Sequence, residues 1–222
     1  ATAENTTAVK DSPTTTENVP ALSFTETFGG KASDIARSVQ QTADGGYIIA
    51  GGTASYGAGL TDAYLVKTDG GGNEEWSQTF GGEGYGEAFS VQQTADGGYI
   101  IAGVTTSFGA GGWDIYVIKT DREGNEEWYQ TLGKKGYDAA YAVQQTADGG
   151  YIIAGVTTSF STGDYDAYLV KIDEEGNEEW SQIFGDTEND GAHSVQQTAD
   201  GGYIIAGGTA SYGAGGWDTY VI

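Results

Sequence analysis

The chain of 222 residues carries a net charge of −23, from 32 acidic and 9 basic residues, and contains neither cysteine nor methionine. This charge disfavours nucleic acid and anionic membrane surfaces as partners, because both would repel the protein. The absence of cysteine excludes disulfides, thiolate metal sites and a cysteine nucleophile. No apolar run is long enough for membrane insertion. Because translation starts with methionine, Ala1 predicts a removed signal peptide and a secreted, extracellular protein.

Residues 1–20 differ from the rest of the chain because they are polar, rich in threonine and interrupted by two prolines. Their composition predicts a linker, but an extended segment can also add to the sheet edge of a neighbouring subunit. Such a contact joins two different surfaces and can grow an open filament. The alternatives are packing on its own domain and tethering to a cell surface. The expected inter-subunit residues are Thr6, Thr7, Val9, Thr14, Thr15, Thr16 and Val19, and the residue that opens an N-glycosylation sequon is Asn5.

Residues 21–222 form one domain built from a 52-residue repeat. The thirteen residues VQQTADGGYIIAG recur unchanged, beginning at residues 39, 91, 143 and 195. In the second copy the predicted strands are 90–94, 98–105, 114–120 and 126–132. Tight turns and a glycine-rich loop connect them. Four short antiparallel strands in a repeat of this length are typical of a β-propeller blade.

The two ends of this domain contain one divided repeat. The last copy stops at residues 217–222, before its fourth strand, and residues 22–30 match the fourth strand of the next copy, residues 74–82. Pairing of the N-terminal strand with the C-terminal strand would close a ring and remove two open sheet edges. The sequence therefore predicts an all-β fold, a closed four-bladed β-propeller. The residues expected at the closure are Phe24, Phe28, Tyr220 and Ile222.

Apolar residues that recur in every copy are expected to fill the interior. Tyr47, Ile48 and Ile49 of the first copy, and their equivalents in the other copies, are residues of this kind. Trp76, Trp128 and Trp180 should pack between blades. Small residues, of which Ala88 is one, precede the first strand of each copy and suit a crowded ring axis.

The pattern VQQTxDGGYIIAG…YLVKTDxxGNxxW resembles the propeller-type repeats of secreted and cell-surface proteins of archaea and bacteria. The resemblance covers residues 22–222. A four-bladed version behind a long N-terminal tail is also similar to the subunits of thin archaeal extracellular filaments, or pili, built from stacked toroids. These resemblances imply a structural subunit in which copies of the protein are linked head to tail into a filament or surface array.

Repeated aspartates are the main candidates for chemistry. Convergence of one set could bind Ca²⁺ through several carboxylate oxygens, and the alternative is that each aspartate caps its own turn. The single histidine, His193, has no predicted catalytic partner, so the sequence favours a protein that is not an enzyme and that needs no cofactor. The three sets are Asp62, Asp114, Asp166 and Asp218; Asp44, Asp96, Asp148 and Asp200; and Asp69, Asp121 and Asp173.

A multivalent, lectin-like glycan-binding module at the cell surface is the alternative function. Aromatic residues recur in the glycine-rich loops, where exposed rings could stack on surface glycans, and several weak sites would gain avidity. The same rings could instead fold back and anchor their loops. These loop aromatics are Tyr56, Phe108, Phe160 and Tyr212.

Overall fold

A computed structural model describes residues 24–161 and 164–222 of the chain. All regular secondary structure in these ranges is β-strand, which confirms the predicted all-β class. The described ranges hold no helix that is long and apolar enough to cross a membrane. The N-terminal tail, residues 1–20, lies outside the described residues, so the expectations for its threonines and valines and for Asn5 stay predictions.

Each repeat folds into an antiparallel meander in which consecutive strands are neighbours. The first meander comprises β1 (Asp34–Gln41), β2 (Tyr47–Thr53), β3 (Asp62–Thr68) and β4 (Glu74–Phe80). The second comprises β5 (Gly86–Gln93), β6 (Tyr99–Thr105), β7 (Gly112–Thr120) and β8 (Glu126–Leu132). The third comprises β9 (Gly136–Gln145), β10 (Tyr151–Thr157), β11 (Asp166–Ile172) and β12 (Glu178–Phe184). The fourth comprises β13 (Asp190–Gln197), β14 (Tyr203–Thr209) and β15 (Asp218–Val221).

Hydrogen bonding groups these strands into three sheets. A short parallel bridge from Gly112 and Trp113 in β7 to Gly136 and Tyr137 in β9 joins the second meander to the third. The predicted fourth strand of the second repeat, 126–132, coincides with β8. The predicted first strand of the second repeat, 90–94, corresponds to β5, which begins earlier, at Gly86. It begins earlier because the strand continues through a bulge that the sequence pattern did not indicate.

A β-bulge interrupts the first strand of every repeat. In β5, Ala88 pairs with Gly103 and Ser90 pairs with Ala102, so the residue between them, Phe89, has no partner. Ala88 therefore lies inside the strand and not before it. A bulge bends its strand and redirects the side chain of the extra residue. The four bulge residues are Arg37, Phe89, Tyr141 and His193.

The main core lies between neighbouring meanders. Trp76 of β4 packs edge-on against Tyr99 of β6, with ring centroids 5.7 Å apart. Trp128 and Trp180 repeat this contact at the next two junctions. The prediction that the tryptophans fill the space between repeats is therefore confirmed.

A ladder of glutamine side chains also joins the first strands of neighbouring repeats. The backbone N–H of Gln145 donates to Gln92 Oε1 at 2.6 Å, and the backbone N–H of Ala95 donates to Gln145 Oε1 at 2.9 Å. Both bonds recur at the other two junctions between consecutive repeats, with distances of 2.6–2.9 Å. The two adjacent glutamines of each copy therefore connect repeats to one another.

The outer faces of the first and fourth meanders are exposed. Val39 in β1 is 65% exposed, whereas its counterpart Val91 in β5 is 6% exposed. Ile204 in β14 is likewise exposed, although its three counterparts are fully buried. Within the described residues, no backbone hydrogen bond joins residues 24–30 to β15, which pairs with β14 alone.

Candidate functional site

The aspartates of the ADGG turns cap their own turns, and Asp44, Asp96 and Asp148 also pair with a buried lysine. Asp96 Oδ1 accepts from Gly98 N at 3.0 Å and from the Thr94 hydroxyl. Asp96 Oδ2 lies 2.9 Å from Nζ of Lys119, a buried side chain that also pairs with Glu127. Burial alone would raise the pKa of Asp96, but the hydrogen bonds from Lys119, Thr94 and Gly98 outweigh burial and lower the pKa to about 2. Asp44 and its remaining counterparts form the same turns.

This arrangement predicts a loss of stability in acid. Because the folded pKa of Asp96 lies below its ordinary value of 3.8, its contribution is present above that value and is lost as the pH falls through about 2. We expect the free energy of unfolding, measured with urea, to fall over this window and to fall less steeply in Asp96→Asn. An unchanged slope in this variant would contradict the assignment.

The other two aspartate sets also serve local loops. Asp121 accepts from Asn125 N at 2.8 Å and from Glu123 N at 2.9 Å, which closes the turn before β8. Asp62 accepts from Gly59 N at 3.1 Å within a glycine-rich loop. Across the described ranges, no group of three or more His, Cys, Asp or Glu side chains could hold a metal ion. The structure therefore gives Ca²⁺ no site built from side chains in those ranges.

The four loop aromatics lie against their own sheets. Tyr56 packs on Tyr64 at 5.8 Å, and its hydroxyl donates to Gly29 O at 2.8 Å. Phe108 packs on Tyr116 and Phe160 on Tyr168. Tyr212 packs on Tyr220 at 5.7 Å. The structure thus shows these rings as loop anchors.

A different set of aromatic residues gathers where the repeats differ in sequence. Phe89 and Tyr141, two of the bulge residues, pack 5.6 Å apart, and Tyr141 stacks on His193 at 5.2 Å. Arg37 extends this row, because its guanidinium lies over the Phe89 ring. The bulge thus places the variable residue of each repeat beside that of the next.

The side chains that meet at this surface differ among the three junctions between consecutive repeats. Between the first and second repeats, Arg37 pairs with Glu87 at 2.7 Å. Between the second and third, Trp113 is held between Tyr85, at 4.9 Å, and Tyr137, at 5.9 Å. The Tyr85 hydroxyl also donates to Glu87, and burial together with this bond raises the pKa of Tyr85 to about 12. These two junctions are filled by protein side chains.

The junction between the third and fourth repeats is open and forms a cleft of about 400 Å³. Asn189 takes the place of Tyr85 and Tyr137 in the earlier repeats, and Gly191 takes the place of Glu87. These smaller residues leave the space that tyrosine and glutamate fill elsewhere. We call this space the aromatic cleft, and it is lined by Tyr137, Tyr141, Val156, Tyr165, Asn189, Asp190, Gly191, His193 and Trp217.

Asp190 lies at the wall of the aromatic cleft and is fully buried. Its Oδ2 accepts from the Ser211 hydroxyl at 2.6 Å and from Asp186 N at 3.2 Å. Its Oδ1 has no hydrogen-bond partner within the described part of the chain, and the same holds for one buried oxygen each of Asp62 and Asp114, which lie outside the cleft. The corresponding oxygen of Asp138 accepts from the Thr157 hydroxyl, so Asp190 differs from its counterpart in the third repeat.

Sequence reasoning singled out His193 as a variable residue but did not identify the aromatic cleft. The available signal was the pattern of differences among nearly identical repeats. Positions equivalent to Asn189, Gly191, His193 and Trp217 vary from copy to copy, whereas thirteen residues nearby do not vary at all. The structure brings these variable positions to one surface.

Comparison with known proteins places the chain in no family. No protein-family model matches the sequence. In an alignment that covers 83% of this chain, it is 25% identical to the regulatory protein FlaEY of Caulobacter vibrioides, and the match spans 23% of that protein. A crystal structure of a protein of unknown function from Bacteroides caccae is similar with a TM-score of 0.46 and 14% identity, covering 78% of this chain and 53% of the other. The chain thus spans less than a quarter of the curated relative that it matches.

Proposed function

We propose that the protein is a secreted, non-enzymatic structural subunit whose four repeats act as the blades of a small β-propeller. The observation that supports this most is the junction between consecutive repeats, which recurs three times with the same tryptophan contact and glutamine ladder. The two terminal meanders expose the two halves of this same junction. A ring closed by a fourth junction would cover both halves.

The packing of the segment before β1 supports this proposal on one side of the junction. Phe24 packs against Tyr47 at 5.7 Å, as Trp76 packs against Tyr99 in the next repeat. By analogy with the pairing of Ala63 and Phe80, closure would pair Thr219 of β15 with Phe28. Phe24 and Phe28 would then supply the fourth strand of the last blade, next to Tyr220 and Ile222.

Burial of apolar surface would stabilise the closed ring. Val39 on one terminal face and Val221 on the other are both at least 60% exposed. A groove of about 500 Å³ beside β1 is lined in part by Phe24, Phe28 and Val39. Covering such surface contributes about 25 cal/mol for each Å² removed from water.

In this proposal, residues 1–20 link the rings head to tail into an extracellular filament or surface array, with copies of the chain as partners. Within the described ranges, the outermost strands β4, β8 and β12 each pair on one side only, so each offers a sheet edge there. An extended segment rich in threonine is suited to add to such an edge. Glycosylation of Asn5 would decorate the linking segment.

Electron microscopy of the full chain and of a chain lacking residues 1–20 tests the assembly. We expect filaments from the full chain and single particles from the shortened one. A full-length chain with Thr6, Thr7 and Val9 changed to glycine controls for tail length, because it keeps the length and loses strand propensity. Filaments from the shortened chain, or single particles from the full chain, would contradict the proposal.

A further inference from the structure

We propose that the aromatic cleft between the third and fourth repeats binds a neutral saccharide of one or two rings. This binding activity is separate from the assembly proposed above and does not depend on it. It also differs from the lectin-like alternative considered from the sequence, because it uses one cleft per chain in place of the four loop aromatics.

The aromatic rings provide one side of the site. Tyr137 and Tyr165 stand at right angles, with an interplanar angle of 89° and centroids 5.3 Å apart. Trp217 is 63% exposed at the rim, whereas Trp113, its counterpart two repeats earlier, is held between two tyrosines. Removing a large apolar ring from water lowers the free energy, and the C–H face of a sugar can cover such a ring.

A polar group provides the other side. Asn189 uses its Oδ1 to accept from Tyr165 N at 3.0 Å, so its NH₂ group is the part that can donate to a ligand. A sugar hydroxyl can accept this hydrogen bond. Asp190 Oδ1 is fully buried and lies out of reach of a ligand in the cleft, so it takes no part in the proposed contact.

Charge narrows the ligand class. The net charge of −23 and the Asp190 carboxylate both repel acidic sugars. An organic cation would be attracted by the same charge and by the rings. However, a quaternary ammonium group has no acceptor for the Asn189 NH₂ group, so a neutral hydroxyl-rich ligand fits this donor better.

The size and the position of the cleft agree with a small ligand. A volume of about 400 Å³ lies within the usual range for small-molecule sites. At the preceding junction the counterpart of Asn189 is Tyr137, whose ring packs against Trp113 with centroids 5.9 Å apart. A tyrosine at this position therefore fills the junction, and the variant Asn189→Tyr can serve as a control in which the cleft is blocked.

The test is titration calorimetry and tryptophan fluorescence of the full chain with three probes. The probes are a panel of neutral disaccharides (maltose, cellobiose, lactose and chitobiose), glucuronic acid as an acidic sugar, and choline as an organic cation. We expect at least one neutral disaccharide to bind and Trp217→Ala to weaken this binding about tenfold, the upper range for loss of one aromatic contact. Asn189→Tyr, which restores the residue of the second and third repeats, should fill the cleft and abolish binding.

Tyr56→Ala is the matched control, because it removes another half-exposed aromatic ring in a loop far along the sequence from the aromatic cleft. It should leave saccharide affinity unchanged. The proposal is overturned if no neutral disaccharide binds at millimolar concentration, or if choline or glucuronic acid binds in place of them. Saccharide binding that survives both Trp217→Ala and Asn189→Tyr overturns it as well. Circular dichroism of each variant establishes that the fold is intact.

Discussion

Replacing Gly103 with alanine is expected to destabilise the protein by more than about 4 kcal/mol, within the range of the most disruptive single substitutions. A Cβ atom at this position would lie 1.9 Å from the carbonyl oxygen of Glu87 and 2.8 Å from the Cα of Ala88. Both atoms belong to the backbone of β5, so neither can rotate away. The strand would have to abandon its bulge, which would shift its register and turn its side chains to the opposite face. Urea unfolding followed by circular dichroism measures the effect.

Gly97→Ala is the matched control for this substitution. Gly97 lies in the turn before β6 with φ of +89°, and a Cβ there would meet no atom within 4 Å. The expected cost is about 1–2 kcal/mol, from the left-handed backbone conformation alone. If Gly103→Ala cost no more than Gly97→Ala, the close approach of the two strands at the bulge would be wrong.

The second large effect is expected from the glutamine ladder. In the double variant Gln92→Met and Gln145→Met, the backbone N–H groups of Gln145 and Ala95 both lose their side-chain acceptors. We expect a loss of about 2–4 kcal/mol in the free energy of unfolding, since each N–H left without an acceptor at a partly buried site costs about 1–2 kcal/mol. Methionine keeps the side-chain length while removing the polar group.

The equivalent double variant at the chain ends, Gln41→Met and Gln196→Met, tests closure of the ring. Neither residue takes part in a hydrogen bond between repeats in the described structure. In a closed ring they would form the fourth rung of the ladder, so we expect this variant to cost about as much as the internal one. A stability equal to that of the unaltered protein would show that the ends stay apart, and the proposed four-bladed ring would then be wrong.

Three features, the ladder, the turn and the bulge, account for five of the thirteen invariant residues of each repeat. Gln92 and Gln93 belong to the ladder, Asp96 and Gly97 form the turn, and Gly103 permits the bulge. Each role depends on backbone contacts that are the same in every copy. Identity among the copies therefore marks the scaffold, and the bulge presents the residue that is free to vary.

The sequence by itself determined the strands, the turns and the tryptophan packing, because alternating apolar residues and glycine-containing turns act over a few residues. It did not indicate the bulge, because the close approach of Gly103 to Glu87 is a contact between two strands. Nor did the sequence predict the ion pairs of the turn aspartates, because Asp96 comes close to Lys119 only when the sheet forms.

Only the tertiary structure decided the environments of two tryptophans that share the local sequence GGWD. Trp113 rests against Tyr85 of its own repeat and Tyr137 of the next, whereas Asn189 stands in the place of Tyr85 in the fourth repeat, and Trp217 remains exposed at the aromatic cleft. The two tyrosines that cover Trp113 lie 28 positions before it and 24 positions after it in the chain. Local sequence sets the backbone of each repeat, and contacts between distant strands determine which of its side chains are available to a ligand.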